Sequence, residues 1–178
     1  MEITIRLATL DDVGALEVLI PLSVRSLQAG DYTVEQMEAA IGEVFGVDTS
    51  LIRDGTYFVA EAGGHVVACG GWSRRRTLFG SDQVRSKDDA WLDPAVDAAR
   101  IRAFFVHPDW ARRGIGSRIL QACEEAAVSH GFRRLELAST LTGIPLYRAR
   151  GYFDAEPIDV PLPAGRTLPV LRMYKVLV

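Results

Sequence analysis

Apolar and polar positions follow two rhythms along this chain, one of period two and one of period three to four. Ile3, Ile5 and Leu7 alternate with Thr4 and Arg6, which predicts a strand over residues 3–7. Thr9-Leu10-Asp11-Asp12 can then cap a helix whose apolar face is Val13, Leu16, Leu19 and Ile20. Pro21 is a kink or an end of that helix. Thr33 and Gln36 have capping-box spacing and open a second helix, expected to run to about Phe45. Residues 56–61 and 65–73 read as strands, joined into a hairpin by Ala62-Gly63-Gly64. Residues 99–106 are apolar and β-prone, broken only by Arg100 and Arg102, and Pro108 ends that strand. From Ile115 the rhythm is helical, through Ile119, Leu120, Cys123, Ala126 and Ala127, with Gly131 as the stop. A strand over 133–139, a short helix over 144–150 closed by Gly151, and strands over 152–160 and 168–176 complete the chain. A Pro/Gly turn at 161–165 joins the last two. The order βααβββαβαββ suits one α/β (α+β) domain over residues 1–178, with a mixed, partly antiparallel central sheet flanked by helices.

Residues 74–98 have neither rhythm. They hold Arg74-Arg75-Arg76 and the acids Asp82, Asp88, Asp89, Asp93 and Asp97, and the plain reading is a solvated loop. A length of 178 residues fits one domain with a core that needs no staples. Hydrophobic residues make up 48% and charged residues 24%, as in ordinary globular proteins. A net charge of −3, without interleaved basic and aromatic residues, argues against a nucleic-acid partner. Cys69 and Cys123 sit in apolar runs and read as small buried residues rather than a disulfide framework. His65, His107 and His130 are scattered, no cysteine pair has zinc spacing, and no metal is expected. No apolar run approaches the ~20 residues that span a bilayer, so no membrane partner is expected. The first six residues lack the regions of a signal peptide, and a cytoplasmic chain is the default expectation.

The stretch richest in chemistry runs from Val106 to Gln121, V-H-P-D-W-A-R-R-G-I-G-S-R-I-L-Q. It reads as a strand that stops, a tight turn, and a helix that starts. A helix start leaves amide N–H groups unpaired and carries partial positive charge, which suits phosphate. Two arginines and two glycines stand beside this one. A plain connection between two core elements is the competing reading. The dinucleotide fingerprint lacks its third glycine, since Ser117, Arg118 and Ile119 follow Gly116, and no nucleoside-triphosphate loop sequence occurs.

The run V-x-P-x-x-A-R-R-G-I-G-S resembles the acetyl-CoA-binding motif of the GCN5-related N-acetyltransferases (GNAT superfamily), written [Q/R]-x-x-G-x-[G/A]. The resemblance implies that the amides of Arg112, Arg113, Gly114, Ile115, Gly116 and Ser117 hold the pyrophosphate of acetyl-CoA. Ala111 stands where the family usually has Gln or Arg, and the arginines come one and two places later. A second run, Leu146-Tyr147-Arg148-Ala149-Arg150-Gly151-Tyr152, resembles the family's late motif [F/L]-Y-x-x-x-G-[F/Y]. The two motifs stand in the right order, and the resemblance covers nearly the full length, although the first third matches in element order alone.

What the resemblance implies is an N-acetyltransferase that moves an acetyl group from acetyl-CoA directly to a primary amine of a small molecule or protein. A tyrosine at the position of Tyr147 protonates the departing thiolate in many members; without the family, Tyr147 reads as a core tyrosine with a wet tip. Tyr152 reads as core. The splayed central strand of the family offers backbone groups to the pantetheine arm, and these are the groups of Phe104, Phe105 and Val106. Many members carry a general base on that strand, but here it has no carboxylate. Glu61, Asp97 and His107 are candidates, His107 with a structural role as its alternative. Thr140 replaces a common asparagine and is given no role. A non-catalytic acyl-CoA-binding or regulatory domain is the rival function, favoured by the missing carboxylate. Family precedent places acceptor choice around residues 26–32 and 74–98 and allows a homodimer; the amine acceptor itself has no signature in the residues.

Overall fold

The computed structural model describes residues 1–84 and 87–177. Strand β1 (Ile3–Leu7) leads through one 3-10 turn into helix α1 (Val13–Leu27), followed by α2 (Val34–Ala40) and α3 (Thr49–Arg53). Strands β2 (Tyr57–Ala62), β3 (His65–Ser73) and β4 (Ala99–Val106) precede helix α4 (Ile115–Ser129). Then come β5 (Arg134–Thr140), α5 (Ile144–Ala149), β6 (Phe153–Pro161) and β7 (Thr167–Val176). The strands form one seven-stranded sheet in the order β1-β2-β3-β4-β5-β7-β6, with β4 and β5 parallel and the other neighbours antiparallel.

Local chemistry explains most of these boundaries. Gly63 and Gly64 both take positive φ, 56° and 80°, as a tight hairpin turn demands, and β2 and β3 pair as expected. Helix α1 passes through Pro21 rather than ending there. The proline removes the hydrogen bond to the Glu17 carbonyl, and Glu17 lies on the exposed face, where water can replace it. Two expectations need correcting. The helix opened by the Thr33–Gln36 capping box stops at Ala40 rather than near Phe45. Ile41 there turns extended at ψ 126°, and Gly42 follows at φ 112°, a conformation that only glycine adopts cheaply. The order also contains a helix not expected from periodicity, α3, capped by Asp48.

One hydrophobic cluster on each face holds the sheet between its helices. On one face Ile115, Ile119, Leu120 and Cys123 of α4 pack with Trp72, Leu135 and Phe132. On the other, Leu16, Leu19, Ile20 and Val24 of α1 pack with Val59, Leu168 and Val170. Tyr32, after α1, fixes the near end of the second layer. Its hydroxyl donates to the Pro169 carbonyl at 2.6 Å and accepts from the Leu141 N–H at 2.9 Å. Both cysteines are free and buried, as read from their apolar surroundings. No helix among the described residues is long and apolar enough to cross a membrane.

Candidate functional site

The parallel pair at the middle of the sheet comes apart. β4 and β5 are joined at Ala99↔Leu135 and Arg100↔Glu136, and no further. An ion pair marks the last joined position, Arg100 to Glu136 at 2.7 Å, and Arg172 of β7 meets the same carboxylate. Three residues on, Ala103 takes φ 57°, left-handed for a residue with a side chain. Such a conformation costs on the order of 1 kcal/mol or more and persists only where neighbours hold it. Tyr57 supplies that hold: its buried hydroxyl donates to the Ala103 carbonyl at 2.8 Å. The β3–β4 ladder shifts register at the same level, between Cys69 and Gly71. Bulge and bend together turn β4 away from β5. The opening is a cleft of about 230 Å³ that reaches both layers of helices.

β4 presents backbone to this cleft. The His107 N–H donates to the Val67 carbonyl at 2.8 Å, so by alternation Phe105 also addresses β3, while Phe104 and Val106 turn toward the gap. The three residues therefore do not present equivalent groups. The Val106 N–H is already taken by Ser23 Oγ of α1, at 3.2 Å. Gly70 of β3 makes room for the Phe104 ring, since a Cβ there would lie 2.8 Å from it.

Next to the gap stands the N-terminus of α4. Gly114 is its N-cap at φ 77°, Arg112 lies at φ 61°, and no side chain caps the helix. The N–H groups of Arg112, Arg113, Gly114, Ile115, Gly116 and Ser117 have no hydrogen-bond partner among the described residues. Residues 112–114 are exposed, Ile115 is buried, and Gly116 lines the cleft. The Arg113 guanidinium lies 4.9 Å from the Trp110 ring centroid. An unpaired helix start with positive side chains is suited to an anion.

Tyr147 of α5 forms part of the cleft wall and is 7% exposed. Its ring packs edge-on against Phe104, at 6.2 Å between centroids, and against Tyr152, at 5.6 Å. Burial, with a smaller contribution from Cys123, pushes its phenol well above the ordinary value of 10.0. No hydrogen bond holds the hydroxyl among the described residues. Tyr152 is tied into the core instead, with its hydroxyl donating to Glu124 at 3.0 Å and Lys175 on the same carboxylate.

The candidate bases fall elsewhere. Glu61 pairs with Arg6 at 2.9 Å, Asp97 accepts the Asp93 N–H before β4 begins, and His107 Nδ1 accepts the Asp109 N–H at 3.1 Å. None of the three lines the cleft, and neither does any other carboxylate among the described residues. Thr140 caps the turn before α5 by accepting the Gly143 N–H at 3.1 Å. In residues 74–98 the arginines and aspartates also stay out. Arg75 pairs with Asp54 at 2.7 Å and stacks on Trp91 at 4.0 Å, while Leu78 and Phe79 reach the cleft. Arg85 and Ser86 lie outside the described residues.

Residues that periodicity could not single out complete the walls. Arg102 of β4, 4% exposed, donates to Asp48 at 2.9 Å and to the Gly80 carbonyl at 2.7 Å. Lys87 meets Asp48 at 3.0 Å. Burial by itself would raise the Asp48 carboxyl; the Ser50 hydrogen bond and the charges of Arg102 and Lys87 outweigh it and hold the group below its ordinary value. Arg102 is one of two arginines that break an apolar strand, and that break was the sequence signal for a buried partner. Gln28, at the end of α1, also lines the cleft; it falls in the 26–32 stretch that the family resemblance implied for acceptor choice, but no residue pattern singled it out.

Known proteins share this fold. A model described as the acetyltransferase (GNAT) family matches residues 22–152. The amino-acid acetyltransferase of Haemophilus ducreyi is 27% identical over 174 residues, 97% of this chain and 32% of the relative. The chain thus spans about a third of the length of that curated relative. Among solved structures, a GCN5-related N-acetyltransferase from Rhodopseudomonas palustris superposes with a TM-score of 0.73 at 22% identity, covering 99% of this chain and 97% of that one. The PaiA N-acetyltransferase of Thermoplasma acidophilum, solved in complex with coenzyme A, gives a TM-score of 0.68 at 14% identity and covers 99% of each chain. At such identities the likeness is one of fold.

Proposed function

We propose that this chain, which belongs to the acetyltransferase (GNAT) family, moves an acetyl group from acetyl-CoA directly to a primary amine. The observation that carries the reading is the parting of β4 from β5 beside a helix start whose six amides are unpartnered. An extended anionic thioester fits that geometry. The amides of residues 112–117 hold the pyrophosphate, where the helix end and two arginines favour negative charge. The backbone of Phe104 and the carbonyl of Val106 take the pantetheine arm as an added strand would be taken. Acetyl-CoA supplies the activated acetyl group.

Tyr147 is the proton donor in this reading. Its hydroxyl is neutral, because burial holds the phenol protonated, and it is not committed to another partner. As the C–S bond breaks, Tyr147 gives its proton to the leaving sulfur. As the C–N bond forms, the nitrogen sheds the proton that restores the hydroxyl. Phe104 and Tyr152 fix the ring. No carboxylate among the described residues lines the cleft, so the amine enters as the free base and gives its first proton to water. The two free buried cysteines are in keeping with a cytoplasmic setting for this activity.

The test is amine-dependent release of coenzyme A thiol from acetyl-CoA, with the acetylated amine identified by mass. Acetyl-CoA binding without thiol release from any amine of a broad panel would leave the non-catalytic acyl-CoA-binding domain as the function.

A further inference from the structure

The acceptor half of the cleft has a chemistry of its own. On the α1 side of the sheet its walls are Leu27, Val44, Phe45, Phe79, Val160 and Val170. Among the described residues that line it, the one charged side chain is Arg102, and its guanidinium is committed to Asp48 and the Gly80 carbonyl. An acceptor carrying a carboxylate or phosphate would find no free cation there. One carrying extra ammonium groups would find no carboxylate. Of the other polar side chains lining it, Ser23, Ser139, Thr140 and Thr142 each have a hydrogen-bond partner and Tyr147 is the proton donor, which leaves the amide of Gln28. The residue is 6% exposed, and its Oε1 is buried with no hydrogen-bond partner among the described residues. A buried amide oxygen left unpaired is destabilising, a cost that a fold tolerates where a ligand supplies the partner. The head can turn through 180°, so it offers either an acceptor or a donor to the cleft.

Resting on the transferase reading above, we propose that the acceptor is a primary amine on an uncharged, apolar body, and that Gln28 binds it. The apolar walls take the body and Gln28 takes a hydrogen bond from the amine or its nearest polar group. The same walls favour the neutral amine over the ammonium, because desolvation penalises the charged form. That preference stands in for the base that the cleft lacks. The reaction balances without another group: the amine loses two protons overall, one to water before entry and one through Tyr147 to the sulfur.

Three primary amines test this: 2-phenylethylamine, phenylalanine, which adds a carboxylate to the same body, and spermidine, a linear polyamine that carries further ammonium groups. Thiol release should favour 2-phenylethylamine by at least about tenfold in kcat/KM, since each competitor must bury an unpaired charge. Gln28→Leu should raise KM for 2-phenylethylamine by about three- to tenfold, the worth of one hydrogen bond. It should leave Tm unchanged or higher, because it removes an unpaired buried polar atom. Phe79→Arg, at the exposed rim, should shift preference toward phenylalanine. Turnover of phenylalanine or spermidine above 2-phenylethylamine would overturn the acceptor class, and a fall in Tm with unchanged KM in Gln28→Leu would make Gln28 a packing residue. Should no probe turn over, Tm of the protein saturated with coenzyme A separates the two readings. A rise with 2-phenylethylamine alone keeps the acceptor class and removes the transfer step; no rise with any probe removes the acceptor class too.

Discussion

Tyr147 was legible from its place in a short motif, but its surroundings were not. A period of three to four marks a tyrosine as half-buried; it does not say that the hydroxyl lacks a partner or that Phe104 flanks the ring at 6.2 Å. Those facts make a sharp prediction. Tyr147→Phe removes one oxygen, keeps the ring packing, and should leave acetyl-CoA affinity unchanged. Single-turnover acetyl transfer should fall toward the ~10²–10⁴-fold that a general acid supplies. Because burial raises the phenol, its ionisation cannot give a falling limb in the ordinary tyrosine range near 10. The parent's rate should hold until pH passes that value, and the limb above it should vanish in the variant. An unchanged single-turnover rate would return Tyr147 to the core. Gln28 illustrates the opposite case: an orphaned amide exists only once helix α1 is docked on the cleft, so no local pattern encodes it.

At the scale of elements, long segments were legible and short ones were not. Fifteen residues of α4 repeat an apolar face often enough to show their period, while the five of α3 cannot, and only the Asp48 cap betrays it. The premature end of α2 comes from Gly42 at positive φ, a conformation visible only in three dimensions. That β4 parts from its neighbour was implied by the family resemblance alone; no residue pattern encodes it, because the bulge at Ala103 is a compromise with Tyr57 on a distant strand. The α4 start, by contrast, carries its glycines in plain sight. Gly114→Asp there should abolish the rise in Tm that acetyl-CoA produces in the parent. A Cβ at Gly114 meets nothing within 4 Å, so the variant has room to fold. Its φ of 77° adds strain of about 1 kcal/mol, which lowers the baseline Tm without touching the ligand-induced shift. The carboxylate would face the pyrophosphate and repel it. A folded variant that keeps the full shift would move the cofactor site elsewhere.

The whole molecule is tied around the cleft by one buried ion pair. Asp48 caps α3, Arg102 lies in β4, and the Gly80 carbonyl and Lys87 belong to residues 74–98, so a single cluster joins three parts of the chain far apart in sequence. Net worth and cost of breakage differ for such a pair. Two buried charges roughly offset their own desolvation, but removing one strands the other, at about 3–5 kcal/mol. Asp48→Asn strands Arg102 and Lys87 together and should cost an amount in that range at pH 7, read from urea unfolding. The pH dependence has a definite sign. Asp48 is held below its ordinary value in the folded chain, so its stabilisation is complete above the unfolded value near 3.9 and is lost as pH falls through the folded one. The gap between parent and variant should therefore be widest at neutral pH and narrow below about pH 4, where the parent's carboxylate also becomes neutral. The variant should lose acetyl transfer at temperatures where it is still folded, because Leu78 and Phe79 sit between Thr77 and Gly80, whose carbonyls Arg102 holds. A gap that stays constant from pH 7 to pH 3 would mean that the charge on Asp48 contributes nothing to stability, and that its oxygens serve only to cap α3.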